Sequence, residues 1–411
     1  APDTAPEHDA PPRTRPCRAV ASCRVIDTAL RRARAAVFTV FAVNGFLFAT
    51  WVVHIPVVQE RVGVGHGALG TLLLALAVGA LCGMQATGPL ADRFGSDRTT
   101  PVFGVLLAVA VVGPGLATAP WQLAVALALF GFFNGGLDVS MNSQAVVVEQ
   151  RYRRPIMAAF HGLFSLGGIV GSLVGAATLA AGVSAPVTLA AAATVGVVAI
   201  VVSARHLVRV APTAHDTAPG RFLDGYSPRV LLLGGIAFAL MLCEGVANDW
   251  STLQVKEHLG VADSVAALAF GAFSATMTFG RFVADRISAR IGGVAVVRYG
   301  AVAAAAGMTL VMASPWLPLT LAGWALFGLG LSGAVPQLFT AAGNITTGSP
   351  GTNMSRVVGL GYLGFLAGPS SIGWVSESTS LTAAMAIPLG CVLLAAALAP
   401  ALEQTVERTL E

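Results

Sequence analysis

Apolar stretches of roughly 20 residues recur along most of this chain, each long enough to cross a hydrocarbon core of ~30 Å as a helix. In lipid the backbone has no water to bond, so a spanning segment must satisfy its own amides and carbonyls. Helices do this and open strands do not. A closed barrel would instead show short alternating segments, and the sequence has none. Of the 411 residues 55% are hydrophobic and 11% charged, where a water-soluble protein carries about a quarter charged. Mean hydropathy is +0.76. The expected fold is an all-α membrane protein of twelve transmembrane helices. The spans begin near Ala36, His66, Thr100, Trp121, Pro155, Ala185, Arg229, Ser264, Val294, Leu317, Ser355 and Leu381, with Gly, Pro, Asn or charge in the breaks.

Arginine and lysine set the orientation. The amino-terminal segment holds Arg13, Arg15, Arg18, Arg24, Arg31, Arg32 and Arg34. Every second loop repeats the pattern, with Arg93 and Arg98, then Arg151, Arg153 and Arg154, then Arg205, Arg209, Arg221 and Arg229. Arg281, Arg286, Arg290 and Arg298 follow, then Arg356 and Arg408. The alternate loops hold only Arg61 and Lys256. Cytoplasmic loops carry such an excess, so an even number of spans predicts both termini on the cytoplasmic side of an inner or plasma membrane. The same distribution removes the nucleic-acid reading that a net charge of +4 invites.

Residues 1–33, rich in Pro, Ala and Arg and lacking the apolar centre of a signal peptide, are expected to form a disordered cytoplasmic tail. Residues 34–207 and 229–402 then form two six-helix bundles, joined by a polar cytoplasmic linker at 208–228 and followed by a short tail at 403–411. The bundles resemble one another. Gly88-Pro-Leu-Ala-Asp92-Arg93-Phe-Gly95 closes span 2, and Gly280-Arg281-Phe-Val-Ala-Asp285-Arg286 closes span 8. Phe130-Gly131 with Gly135-Gly136 in span 4 repeats as Phe327-Gly328 with Gly333 in span 10. Two parallel halves imply a pseudo-two-fold along the membrane normal, with a site between them at mid-depth.

The paired Asp-Arg motifs resemble the signature of the major facilitator superfamily, and the resemblance extends over nearly the whole chain after the tail. It departs at Ser96 and Asp97, where the family carries basic residues. Gly136-Leu137-Asp138-Val-Ser-Met-Asn142 and Asp249-Trp250-Ser251-Thr-Leu253 resemble fucose-permease-like members. Asn44-Gly45 through Trp51-Val-Val-His54-Ile-Pro56, Phe160-His161-Gly-Leu-Phe-Ser-Leu-Gly167-Gly168 and Gly361-Tyr362-Leu-Gly364-Phe365 are similar to the YbjJ-like branch. The resemblance implies secondary transport by rocking halves, with spans 1, 4, 7 and 10 lining a cavity. It also implies that Asp92 faces the start of span 11 and Asp285 the start of span 5. A carboxylate at a helix amino end gains roughly 0.3–1 kcal/mol. Arg93 and Arg286 are expected to pair with carboxylates across the same seam, and Gly88, Gly95 and Gly280 to permit tight turns.

An ionisable side chain at the centre of a transmembrane helix costs roughly 2.5–3.5 kcal/mol, so each one asks for a reason. Asp138 in span 4 and Glu244 in span 7 are the clearest cases, whereas Asp249 falls where span 7 meets water. Asn134, Asp138 and Asn142 share one face of span 4, and Glu244 and Asn248 share one face of span 7. Asn44 and Trp51 stand seven apart on span 1, and Gln337 follows Pro336 on span 10. A carboxyl group kept from water can take up and release a proton. Asp138 is therefore the expected coupling site, with Glu244 its partner or a solute hydrogen-bond acceptor. The bland alternative is a carboxylate that pairs helices, at about 0.6 kcal/mol per hydrogen bond. His54 and His161 suit proton relay or solute contact, and equally a hydrogen bond between helices. Trp51 and Trp250 suit stacking on a ring, though Trp250 also suits the interfacial aromatic belt.

Two functions compete on these residues. Proton-coupled import of a small polar, sugar-like solute rests on the acids, amides and tryptophans of the cavity helices. Proton-linked efflux of drugs or metabolites is the alternative. Family exporters carry an arginine midway down span 4 and a Gly-Pro pair in span 5. Here span 4 has no basic residue between Trp121 and Gln150, while a Gly368-Pro369 pair occurs in span 11. No nucleophile with a partner, His-Glu-x-x-His set or phosphate-cradling loop is present, so an enzyme or ATP drive is not expected. The five cysteines show neither metal-ligand spacing nor a disulfide framework. The expected partners are a small-molecule substrate, protons and the lipid bilayer, with no cofactor, no metal and no nucleic acid, and the chain is expected to act as a monomer.

Overall fold

The structure, a computed structural model, describes residues 17–64, 66–210, 226–266 and 268–403. Twelve helical spans run through them. Spans 1 to 6 are Cys17–Val62, His66–Phe94, Ser96–Leu116, Pro120–Tyr152, Met157–Ala180 and Ala185–Ala204. Spans 7 to 12 are Pro228–Leu259, Leu268–Ile291, Gly293–Ala313, Leu317–Gly343, Pro350–Ser378 and Leu381–Leu402. Ten of these are long and apolar enough to cross a membrane on length and composition. Spans 8 and 11 fall short. Span 8 carries Arg281, Asp285, Arg286 and Arg290, and span 11 is rich in Gly and Ser and carries Arg356. These two helices run along the seam between the halves, where protein receives Arg281, Asp285 and Arg356.

Three spans are broken, at Val111, at Ser332–Gly333 and at Met385. Each break lies three or four residues ahead of a proline, namely Pro114, Pro336 and Pro388. A proline has no N–H for the carbonyl four residues back, and its ring crowds that carbonyl, so the helix gives way there.

The helices pair in the same way twice. Spans 1 and 5 approach through Gly45 and Gly167, where an added Cβ would strike the Phe164 and Ala42 carbonyls. Spans 7 and 11 do so through Gly245 and Gly364, against the carbonyls of Phe365 and Phe238. Small residues let backbones come this close, which is how helices associate where there is no hydrophobic drive between them. Spans 2 and 4 repeat as spans 8 and 10, and the two sets make two corresponding bundles.

One expectation about the connections needs correction, and a second gains detail. Residues 17–33 continue span 1 as helix instead of belonging to a tail. Ala, Leu and Arg are strong helix formers. The start of the 208–228 linker is pinned to the first bundle. The Gln144 side-chain amide bonds it twice, Nε2 donating to the Val208 carbonyl at 2.9 Å while Oε1 accepts the Val208 N–H at 3.2 Å. Ser96 Oγ accepts from the same Nε2 at 2.9 Å, and Asp97 Oδ1 accepts the Val210 N–H at 3.1 Å. The two residues that depart from the family pattern thus hold the linker. Residues 1–16, 211–225 and 404–411, covering about half of the expected amino-terminal tail and most of the linker and of the carboxy-terminal tail, lie outside the described residues.

Candidate functional site

Span 4 buries Asn134, Asp138 and Asn142 in the interior of the protein. Asn142 Nδ2 donates to the Asp138 carbonyl at 2.8 Å and to its Oδ1 at 3.2 Å. Asp138 Oδ2, Asn134 Oδ1 and Asn142 Oδ1 are buried with no hydrogen-bond partner. From span 1, Asn44 Nδ2 reaches Met141 Sδ at 3.7 Å, and its Oδ1 is likewise unpaired. Each buried orphan of this kind costs roughly 1–3 kcal/mol. Their concentration on spans 1 and 4 marks a place where a polar solute or water gains hydrogen bonds.

The second half contributes a charge pair. Glu244 Oε1 on span 7 accepts from Arg281 Nη2 on span 8 at 3.1 Å, with side chains 20% and 11% exposed. Arg281 Nη1 donates to Ser165 Oγ on span 5 at 2.6 Å, so one guanidinium ties the halves together. His161, one turn before Ser165, stands edge-on to Phe41 at 5.4 Å and 5.6 Å from Phe339. Its Nε2 is unpaired, and the Arg281 charge acts on it. Span 11, which carries Tyr362, packs on span 7 in the same half, Gly361 against Met241 and Gly364 against the Phe238 carbonyl.

Arg281 is the residue that sequence reasoning misplaced, by grouping it with the loop arginines. A signal was present. Arg281 precedes Asp285 by four residues, as Gly88 precedes Asp92, and one helical turn lifts it about 6 Å deeper than the motif carboxylate. Aligning the repeats puts a guanidinium where the first half has a hydrogen atom.

The remaining candidates are dispersed. Trp51 and His54 are buried, and His54 Nδ1 bonds the Thr50 carbonyl at 2.7 Å while its ring lies by Gly175 of span 5. Asn248 and Trp250 are half-buried, Trp250 beside Gly373 of span 11, and Asp249 is exposed. Gln337 turns away from the Asp138 group. Its Oε1 accepts from Ser288 Oγ at 3.1 Å and sits against Gly293 of span 9, because the break at Ser332–Gly333 redirects the second piece of span 10.

At the arginine-rich end the motif aspartates cross the seam. Asp92 Oδ1 accepts the Gly351 N–H at 2.7 Å, and Oδ2 accepts the Thr352 N–H at 2.9 Å and its hydroxyl at 2.8 Å. Asp285 Oδ1 and Oδ2 accept the Ala158 and Ala159 N–H groups at 2.9 and 2.7 Å. Each carboxylate thus satisfies free amides at the start of a helix in the other half. The arginines of the motif behave differently from expectation. Arg93 is exposed over the Phe94 ring at 5.2 Å and Arg286 is exposed, since backbone amides already occupy the neighbouring carboxylates. Gly88 faces Gly351 across the seam and Gly95 turns with φ +89°, whereas Gly280 packs on Ser332 within its own half.

Glu149 went unnoticed in the sequence, where it reads as a loop-end acid. Its Oε2 accepts the Ile156 and Met157 N–H groups at 2.7 and 2.8 Å, and its Oε1 accepts from the Thr340 hydroxyl of span 10 at 2.7 Å. The amino end of span 5 is therefore held by one carboxylate from each half. Gln85 reaches span 11 as well, donating to the Ser355 carbonyl at 3.2 Å and accepting from Arg356.

The Gly88 crossing gives a direct test. A Cβ there would strike Ser355 Oγ and come within 2.9 Å of the Gly351 carbonyl oxygen. Overpacking costs roughly 1–3 kcal/mol, here only while this end is closed. Gly88→Val should therefore favour the open arrangement about tenfold. Alkylation of a cysteine placed at Ser143, which lines a pocket of about 230 Å³ in that seam, should accelerate to match, and an unchanged rate would contradict the packing argument.

The family model described as Major Facilitator Superfamily matches residues 2–146 and 36–247. An uncharacterised MFS-type transporter of Yersinia pestis is 33% identical over 354 residues, covering 86% of this chain and 90% of that protein. Among solved structures, the transporter FucP in its outward conformation superposes with a TM-score of 0.75 at 15% identity, over 90% of this chain and 98% of that one. The proton:xylose symporter XylE, bound to a bromodeoxyglucose, superposes with a TM-score of 0.71 at 12% identity, over 90% and 95%. At such low identity the structural likeness speaks for the fold, and the fold is that of twelve helices in two halves.

Proposed function

Because this chain belongs to the major facilitator superfamily and is a membrane transporter, we propose that it carries a small polar, sugar-like solute into the cell by proton-coupled symport. The observation that carries this reading is Asp138, 7% exposed within span 4 with one carboxylate oxygen unpaired, together with a charge pair of the other half whose guanidinium reaches across to span 5. The positive-inside rule makes the arginine-rich end cytoplasmic. With Asp92 and Asp285 closing that end, the solute and a proton enter from the opposite face. Protonation of Asp138 removes the cost of an unpaired buried charge when the solute displaces water. The aspartates then release spans 5 and 11, the halves rock, and both cargoes leave on the cytoplasmic side.

The chemistry of spans 1 and 4 favours a solute rich in hydrogen-bonding groups, since the orphan atoms of Asn44, Asn134, Asp138 and Asn142 are amide and carboxylate oxygens. Reconstituted vesicles offered sugars, sugar acids and common toxicants, with and without a pH gradient, test both cargo and direction. One added solute should draw protons inward with it. Asp138→Asn should abolish gradient-driven uptake and spare counterflow exchange, while Asp249→Asn, at an exposed position, should do neither. Undiminished gradient-driven uptake in Asp138→Asn, or solute-triggered proton exchange in the opposite sense, would overturn the reading.

A further inference from the structure

Where span 4 ends at the arginine-rich face, Arg31, Arg34, Tyr152 and Arg154 line an open pocket. We propose that this pocket binds the phosphate of an anionic phospholipid headgroup. Arg34 lies 5.1 Å from the Tyr152 ring centroid and 5.6 Å from that of Phe38, and Arg154 lies 5.1 Å from Tyr152;. Two guanidinium groups are thus gathered on one aromatic ring, in a pocket lined, among the described residues, by arginine and tyrosine. Arg34 Nε is buried with no hydrogen-bond partner. Like charges gathered on one ring repel, an anion beside them relieves that repulsion, and planar guanidinium donors match phosphate oxygens in pairs.

The backbone builds the pocket deliberately. Arg153 caps span 4 in the left-handed conformation, φ 53° and ψ 28°, with its N–H on the Glu149 carbonyl at 3.0 Å. Few residues other than glycine adopt that conformation, and it turns the chain so that Arg154 folds back over Tyr152. The site's place selects a lipid over a free ion. It sits where span 1 passes from the apolar segment containing Val37 and Val40 to exposed Arg31 and Arg32, the level at which headgroups lie, and basic pockets between helices there suit anionic headgroups. The same turn leads into span 5, whose first amides are held by Glu149 and Asp285, and the Arg154 charge acts on Asp285. A headgroup bound here supports the turn that presents span 5 to its gate.

The full chain in neutral detergent, titrated with phosphatidylglycerol or phosphatidylcholine, tests the site by thermal unfolding and by lipid retention in native mass spectrometry. Phosphatidylglycerol should raise the unfolding temperature by several degrees and be retained about tenfold better than phosphatidylcholine. Arg34→Gln with Arg154→Gln should erase that preference. Arg98→Gln with Arg290→Gln, which removes two exposed arginines of the same face, should keep it. Should the first pair fail to fold, Arg154→Gln alone, at an exposed position, is expected to weaken retention measurably. Equal loss in both pairs, a preference that survives Arg34→Gln with Arg154→Gln, or protection by inorganic phosphate in place of the lipid would overturn the proposal.

Discussion

Replacing Arg281 by methionine is expected to destabilise the protein by about 3 kcal/mol, because it leaves the Glu244 carboxylate in a largely water-free site without its partner. The guanidinium bonds Glu244 at 3.1 Å and Ser165 at 2.6 Å, so its removal also loosens the contact between spans 5 and 8. Glu244→Gln should cost less, since the amide oxygen that replaces the carboxylate can still accept from Arg281, which also retains the Ser165 hydroxyl. The double replacement Glu244→Gln, Arg281→Met should recover more than half of the loss, because an uncharged pair has no buried charge to desolvate. Unfolding temperatures of the four proteins complete the cycle and isolate the coupling. Simple addition of the two single effects would show that the pair does not act as a unit. Transport provides a second readout: a pair that serves only to join helices would let the stabilised double variant transport, and one that takes part in the cycle would leave it inactive.

The helices were legible because a bilayer imposes a minimum length on every span and an apolar surface on those that face it. Their breaks at Val111, Ser332–Gly333 and Met385 were also written in the chain, as prolines three or four residues later, although a search for apolar runs overlooks them. Span 1 was misjudged at its start because helix propensity continues through Ala and Arg after hydropathy fades. Asp92 and Asp285 were recognisable from a repeated motif, and their distances to the opposite helix starts give that motif its physical content.

The central site was less legible, for a physical reason. Asp138 and Glu244 stand out because an acid within an apolar run is rare. Arg281 does not, since arginines abound at that membrane end and depth along a helix is uncertain by about a turn. Glu149 was hidden in the same way, being four residues from Arg153 and surrounded by charge. Gln337 looked like a cavity residue on helical spacing alone, but the break before it changes the direction it faces.

The other large effect is expected at the gate. Asp285→Ala removes two hydrogen bonds from a carboxylate to the Ala158 and Ala159 amides, at 2.9 and 2.7 Å. Hydrogen bonds to a charged group contribute roughly 1.5–3 kcal/mol each. These two exist only while the arginine-rich end is closed, so even the lower figure for both gives a shift of roughly 100-fold toward the open state. Asp92→Ala should move the equilibrium the same way and somewhat further, because Asp92 also accepts the Thr352 hydroxyl at 2.8 Å. Glu149 still holds the Ile156 and Met157 amides in the first variant, so span 5 should keep its helical start while its contact with span 8 is lost. Spin labels on cysteines replacing the exposed Arg98 and Arg290, in a background without the native cysteines, would report the separation directly. The distance distribution should lengthen in either single variant and most in the double. If it stays at the parental distance in all three, the carboxylates decorate the helix ends without holding the halves together, and the gate must lie elsewhere along the seam.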